Sequence, residues 1–273
     1  MKQAGVIEQL RRADLPLNVA LAHSVGWHDA ESEWRVLHEA AVVLGIQQEG
    51  RLVAHGALGD YGGAASLAKM VVSPEHQRRG LGAMVLDRLL AEAGERDSSV
   101  GLCATEQGRP LYASRGFSVS GEVAILTGTP NLGTIEAGPA VPLVDAEPAI
   151  ALDRRFSGCD RGRMLRARWR EAQAAFVLEG RGFVMATEQS PSSVLGPLLA
   201  ETEQEARSLA SAIFGAMSGP FRIDVPIQHA SFRAWLVELG LQERAQRVEM
   251  ARGIARLPWQ CAQRFALATQ AWG

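Results

Sequence analysis

The sequence predicts an α+β fold arranged as two tandem domains of similar build. Three features of the 273 residues lead there. In the first half, short apolar runs of strand type mix with segments of helical period, without a strict βαβ repeat. In the middle, residues 127–141 read TGTPNLGTIEAGPAV, rich in Gly, Pro and Thr and without a sustained apolar period, which is the composition of a linker. The second half then repeats the succession of the first. Domains at 1–128 and 142–273, joined by residues 129–141, each have the size of an ordinary domain.

Along the first half, Asp14 can cap a helix whose first turn holds Pro16 and which runs to about Ser24. Residues 29–38 form a second short helix with Trp34 and Leu37 on one face. Residues 41–47 and 51–58 are apolar runs split by Glu49-Gly50, a hairpin signal, and a third run, 66–72, follows Gly62-Gly63. After PEHQRRGLG, residues 83–93 carry Val85, Leu86, Leu89, Leu90 and Ala93 at helical spacing. Residues 100–104 read as a short buried strand and 109–115 as a short helix stopped by Gly116. Residues 117–126 are the last strand of this half.

In the second half, residues 147–156 and 161–174 read as helices. Residues 175–178 and 182–187 flank Glu179-Gly180, again a hairpin, and 194–200 is a strand. A helix at 202–217 precedes a strand at 221–225 that Pro226 ends. A helix at 231–239, stopped by Gly240, precedes a charged strand at 242–250. The matching order implies an internal duplication, although residue identities barely repeat.

Composition sets the outer bounds. Apolar residues make up 47% and charged residues 21%, values of a folded globular chain, which excludes a disordered or fibrous protein. A formal charge of −2 removes any whole-chain case for nucleic acid, which needs a basic surface. No apolar run reaches the ~20 residues that span a bilayer. The start, MKQAGVIEQLRRADLP, lacks the continuous apolar segment of a secretory signal. Cys103, Cys159 and Cys261 are odd in number, far apart and form no CxxC pair, so neither a zinc site nor a disulfide framework is expected. The expected setting is a reducing cytoplasm, with no metal, no membrane and no nucleic acid.

The strongest chemical signal is Met70-Val71-Val72-Ser73-Pro74-Glu75-His76-Gln77-Arg78-Arg79-Gly80-Leu81-Gly82-Ala83. A strand ends, a loop turns, and an amphipathic helix begins at the glycines. Free N–H groups and the positive end of the dipole favour an anion there. Gly80 and Gly82 leave room for a phosphate, and Arg78 and Arg79 add charge-assisted donors. No Gly-Lys-Ser/Thr follows, so this is not a Walker loop. Residue 85 is Val, so it is not a dinucleotide fingerprint.

Gln77-Arg78-Arg79-Gly80-Leu81-Gly82, after a Val-rich strand and a Pro, resembles the Q-x-x-G-x-G acyl-CoA pyrophosphate loop of the GNAT N-acetyltransferase family. Leu111-Tyr112-Ala113-Ser114-Arg115-Gly116-Phe117 resembles the same family's L-Y-x-x-x-G-F, at the expected distance and in the expected order. The resemblance implies, for each domain, a twisted, mixed, mostly antiparallel sheet flanked by helices. It implies acetyl-CoA as cosubstrate and a small-molecule amine as acceptor, in a monomer or homodimer. Met70, Val71 and Val72 match the strand that lies along the pantetheine arm. Gln77, Arg78, Arg79, Gly80, Leu81, Gly82 and Ala83 match the loop whose amides cradle the pyrophosphate. Tyr112 matches the tyrosine that protonates the leaving thiolate; a phenol of pKa ~10 is suited to that, and the same residue also reads as a core aromatic on a short helix. Many members carry an Asn in the loop before this helix. Here the loop is Ala104-Thr105-Glu106-Gln107-Gly108, which leaves Thr105 or the Gly108 backbone to replace it.

The second half departs from the motif. Laid over VVSPEHQRRGLGA without a gap, LLAETEQEARSLA keeps Gln204 but puts Arg207 and Leu209 where the glycines stand. Glu201, Glu203 and Glu205 crowd the helix start, where they favour the helix and repel a pyrophosphate. Leu236 replaces the phenol. The whole is similar to tandem bacterial GNAT proteins with one active and one degenerate domain. Gly196-Pro197-Leu198-Leu199-Ala200, Ile223-Asp224-Val225-Pro226 and Cys159-Asp160-Arg161 resemble that group's C-terminal landmarks.

For the acceptor, the sequence offers candidates without choosing among them. His55 or Glu106 could serve as the base, Asp224 or Asp60 as a pocket acid, and Trp27, Trp34 and Trp235 as walls. Three functions follow: an N-acyltransferase for a small amine, an acyl-CoA sensor without turnover, and a modifier of protein amino groups.

Overall fold

The computed structural model describes residues 6–96, 98–131, 133, 138–189 and 191–273. The first half runs β1 (Ile7–Gln9), α1 (Leu15–Ser24), α2 (Glu31–Ala40), β2 (Ala41–Gln48), β3 (Arg51–Asp60), β4 (Ala64–Val72), α3 (Leu81–Gly94), β5 (Ser99–Ala104), α4 (Arg109–Ala113) and β6 (Ser118–Gly128). The second runs β7 (Val141–Pro142), α5 (Glu147–Ser157), α6 (Gly162–Glu171), β8 (Ala172–Leu178), β9 (Gly182–Gln189), β10 (Ser192–Ala200), α7 (Glu203–Ala216), β11 (Phe221–Pro226), α8 (Ala230–Glu238), β12 (Gln242–Arg252) and β13 (Arg264–Ala266). The expected linker, 129–141, falls partly outside the described residues, at 132 and 134–137.

Helices cover both faces of the sheet. The core against α3 holds Val85, Leu86 and Leu89, each fully buried and worth roughly 1.5–3 kcal/mol of transfer free energy. A second core forms around α7 and α8, and a third joins α1, α2, α5 and α6 on the opposite face, with Trp34, Trp259 and Trp272 inside it. A strand covered on both faces reads as a continuous apolar run rather than an alternation. That is why β3, buried from Leu52 to Gly59, traps His55 in its middle.

The strands form one mixed sheet in the order β1-β2-β3-β4-β5-β12-β6-β11-β10-β9-β8-β7, with β13 paired to β10. Among the described residues, only β4–β5 and β10–β11 pair in parallel. The halves exchange strands β6 and β12: β12 lies between β5 and β6, and β6 continues the sheet into β11. Helix α2 packs on α6 across the same boundary, where Arg35 donates to Glu171 at 2.9 and 2.7 Å.

Three local differences from the sequence reading have physical causes. The helix expected over 161–174 ends at Glu171, because from Ala172 the chain pairs with β9 as β8. Asp14 sits before α1 but accepts from the Arg11 N–H at 2.8 Å, closing a single 3-10 turn rather than capping the helix. Strands β1, β7 and β13 are two or three residues long, too short to show a period; they exist because a neighbouring strand offers a partner.

Candidate active site

The site begins where two strands part. β4 and β5 pair only at Ala64↔Ser99, Ala65↔Val100 and Ser66↔Gly101; residues 67–72 of β4 run on without a β5 partner. The β3–β4 register shifts between His55 and Ala57, so Lys69 and Met70 stand opposite Gly56. Two residues against one make a bulge, with Lys69 at φ 51°, and a bulge bends the strand out of line. A cleft of about 1110 Å³ opens in the gap. Met70, Val71, Val72, Gln77, Arg78, Gly80, Leu81, Gly82, Ala83 and Tyr112 line it, whereas Arg79 lies off the lining.

At the cleft, α3 presents an open N-terminus. Its N-cap is Gly80, at φ 83° and with no side-chain cap, so the first amides of the helix remain free for a ligand. A Cβ at Gly80 would meet nothing within 4 Å; the glycine is required by its left-handed backbone and not by space. At Gly82 the constraint is space, since a Cβ there would lie 3.2 Å from Val72 Cγ2 and 3.9 Å from Leu111 Cδ2. The Gln77 amide donates to the Val72 carbonyl at 3.2 Å and ties the loop to the end of β4.

Tyr112 stands on α4 across the opening. The residue is 8% exposed, and its ring lies against Gly108 and meets Phe117 edge-on at 5.9 Å. Burial pushes its phenol up to about 12, and the neighbouring Cys103 adds to the shift. Burial also raises the Cys103 thiol, so both groups lining this part of the cleft are protonated at neutral pH. Thr105 Oγ1 accepts from the Gly108 N–H at 3.2 Å, and both residues line the cleft.

Beyond Tyr112 the cleft continues between the two halves. Lys69 pairs with Asp29 at 2.7 Å, its ammonium 5.8 Å from the centre of the Trp27 ring and 5.3 Å from that of Trp34. Gln189 of the second half donates to Asp29 at 2.9 Å. Arg222 grips Asp224 through two bonds of 2.9 Å, and both line the cleft with Arg247 and Gln270. Of the earlier candidates, Asp224, Glu106 and Trp27 line this space. His55 does not: it is fully buried against Trp34, neither ring nitrogen has a partner, and burial lowers it to about 3. Asp60 bonds the Gly62 N–H and faces Arg96, Trp34 is core, and Trp235 packs beside Arg207, all off the lining. Sequence reasoning missed Asp29, Glu33 and Lys69 and, in the second half, Gln189, Arg222, Arg247 and Gln270. The one available signal was the i, i+2 spacing of Arg222 and Asp224, which puts both on one face of a strand.

The equivalent region of the second half is closed. Helix α7 caps itself: the Glu205 N–H donates to Thr202 Oγ1 at 3.3 Å and the Thr202 N–H to Glu205 Oε2 at 2.9 Å. Strand β10 parts from β11 after Val194↔Arg222, as β4 parts from β5, but β13 enters the gap at Leu198↔Ala266 and Leu199↔Arg264. A Cβ at Gly196 would collide with the Leu267 carbonyl. Leu236, in the place of the phenol, is fully buried.

Comparison with known proteins agrees with this geometry. Residues 39–119 match a family model described as an acetyltransferase (GNAT) domain, and residues 149–266 match another with the same description. The chain is 25% identical over 240 residues to an uncharacterized N-acetyltransferase, YitH, of Bacillus subtilis (strain 168), which spans 82% of this chain and 83% of that protein. A solved structure from Pyrococcus horikoshii superposes on 100% of this chain and 98% of its own, with a TM-score of 0.84 and 19% identity. A tandem GNAT protein from the clavulanic acid biosynthesis pathway does so over 90% and 97%, with a TM-score of 0.63 and 14% identity.

Proposed function

Since the chain belongs to the GNAT acetyltransferase family and carries two such domains in tandem, we propose that it moves an acetyl group from acetyl-CoA directly to the primary amine of a small molecule. The observation that supports this most is the uncapped start of α3, opening into the same cleft as the unpaired end of β4 and the phenol of Tyr112. The amides of Arg78 through Ala83 take the pyrophosphate, with Gln77 holding the loop and Arg79 adding long-range charge. The backbone of Met70, Val71 and Val72, free on the β5 side, bonds the pantetheine arm and the thioester carbonyl. The amine nitrogen attacks that carbonyl; a C–N bond forms and the C–S bond breaks. Tyr112 gives its proton to the departing sulfur and takes one back from water, while the surplus amine proton leaves to water.

The cofactor-binding role falls to residues 1–128, and residues 142–273 complete the acceptor wall. Titration calorimetry of the full chain with acetyl-CoA is expected to give one site per chain, because α7 is self-capped and β13 fills the second groove. Two sites per chain would overturn this assignment.

A further inference from the structure

Residues opposite each other on paired strands share one face of the sheet. Cys103 of β5 stands opposite Glu249 of β12, and Arg247 lies two residues from Glu249, so all three look the same way. Arg247 itself stands opposite Val123 of β6; two residues on, Ile125 stands opposite Asp224 of β11. Cys103, Arg247, Ile125 and Asp224 therefore share a face, and all four line the cleft. Burial raises the Cys103 thiol, and the positive charge of Arg247 works against that rise, as a near neighbour would.

Among the described residues, the lysine and arginines that line the cleft are Lys69, Arg78, Arg222 and Arg247. Lys69 is matched by Asp29 at 2.7 Å and Arg222 by Asp224 through two bonds of 2.9 Å. Arg78 lies in the loop proposed to take the pyrophosphate. Arg247 is left over. No carboxylate oxygen of the described residues lies within 4 Å of it, and Nη1 donates only to the carbonyl of its own neighbour, Gln246, at 2.9 Å. It is half-buried on a strand held from both sides by β5 and β6. Glu106 also lines the cleft without a cation, but it is exposed on the loop before α4, where water and salt screen it. A half-buried guanidinium is screened less, and it draws an anion into the cleft.

We propose that Arg247 receives a carboxylate of the acceptor, so that the substrate is a small molecule carrying an acid group besides the group that is acetylated. This rests on the acetyl-transfer reading above and adds a specificity residue to it. A guanidinium offers two parallel N–H bonds that fit the two oxygens of a carboxylate. One positive charge suits a monoanion; a phosphate dianion would call for a second free cation, and Lys69 and Arg222 are already matched. Arg247 belongs to β12, the strand that the second half lays between β5 and β6. The second half thus supplies the group that reads the acid, while the first half holds the loop for the cosubstrate.

The test uses the full chain saturated with CoA and two series of probes: sodium butyrate, hexanoate and benzoate, and the three matching amides. Titration followed by ligand NMR at pH 7 is expected to show each carboxylate binding roughly fivefold tighter than its amide, the gain of one partly exposed ion pair. Arg247→Gln is expected to abolish that preference while CoA affinity stays as in the native chain. Equal binding of acid and amide to the native chain overturns the proposal, as does an unchanged preference in Arg247→Gln. A loss of CoA affinity in Arg247→Gln overturns it too, because the anion at Arg247 would then be a phosphate of CoA. Failure of the native chain to bind CoA is a separate result against the acetyl-transfer reading, and the same titration of the free chain then decides the role of Arg247. If Arg247→Gln fails to fold, Arg247→Met, which keeps an apolar stem on the strand, carries the same comparison.

Discussion

Tyr112 keeps its proton far above neutral pH because its ring is buried beside Phe117 and Gly108 with an uncharged Cys103 for company. Burial disfavours the phenolate, so the group is a dependable donor and a poor base. Tyr112→Phe is therefore expected to leave CoA binding intact and to lower kcat by roughly 10²–10⁴-fold, measured with an amine that the native chain acetylates. The sign of the pH dependence follows from the raised value. Loss of the phenol proton should not limit kcat until the pH nears 12, well above the ordinary tyrosine value of 10.0. A kcat within a few-fold of native in Tyr112→Phe would assign the residue to packing alone.

Two helices of equal length and opposite chemistry show how an element decides binding. Helices α3 and α7 both have 14 residues and both follow a strand with a register shift. One starts at an uncapped glycine, the other at Thr202 with Glu203 and Glu205 in its first turn. The first leaves amides for an anion; the second satisfies them and adds negative charge. Gly82→Glu is expected to copy the second into the first. Its side chain would enter the space beside Val72 and Leu111 carrying the charge of the phosphates. Calorimetry should show no CoA binding, while circular dichroism shows the fold retained and the melting point falls as Val72 gives way to the new Cβ. Normal CoA affinity in the folded variant would move the pyrophosphate site elsewhere.

At the scale of the molecule, the exchange of β6 and β12 makes the halves interdependent. β12 bonds Ala104, Cys103, Leu102, Gly101 and Val100 of β5 on one side and nine residues of β6 between Ser118 and Thr127 on the other. A chain cut after Pro139 loses β12, leaves one edge of β5 and both edges of β6 without partners, and uncovers the apolar face of α2. Such edges pair with other copies. The truncated chain is thus expected to aggregate or lose its cooperative melt, by sedimentation and circular dichroism, and not merely to lose acceptor turnover. A soluble, cooperatively folded fragment would show that β5 and β6 can close on each other without β12.

What the sequence determined by itself was local. Apolar period, hairpin dipeptides and helix stops are carried by neighbouring residues, so the positions of most strands and helices could be read directly. The loop proposed to hold the pyrophosphate was legible for the same reason: Gln77, Gly80, Gly82 and the start of α3 lie within one short segment, and their chemistry is that of a single turn. The loss of that chemistry in the second half was equally visible, in Arg207, Leu209 and the glutamates around Thr202. Only the tertiary structure decided how the cleft continues between the two halves. Glu33 meets Arg168 across 135 residues and Asp29 meets Gln189 across 160, and no local pattern encodes such separations. The exchanged strands and the filling of the second groove by β13 were hidden likewise, because a strand's partner is chosen by which edge the rest of the fold leaves open. His55 shows the same limit in one residue: its sequence suggested a base, and burial on both faces of β3 made it a neutral part of the core.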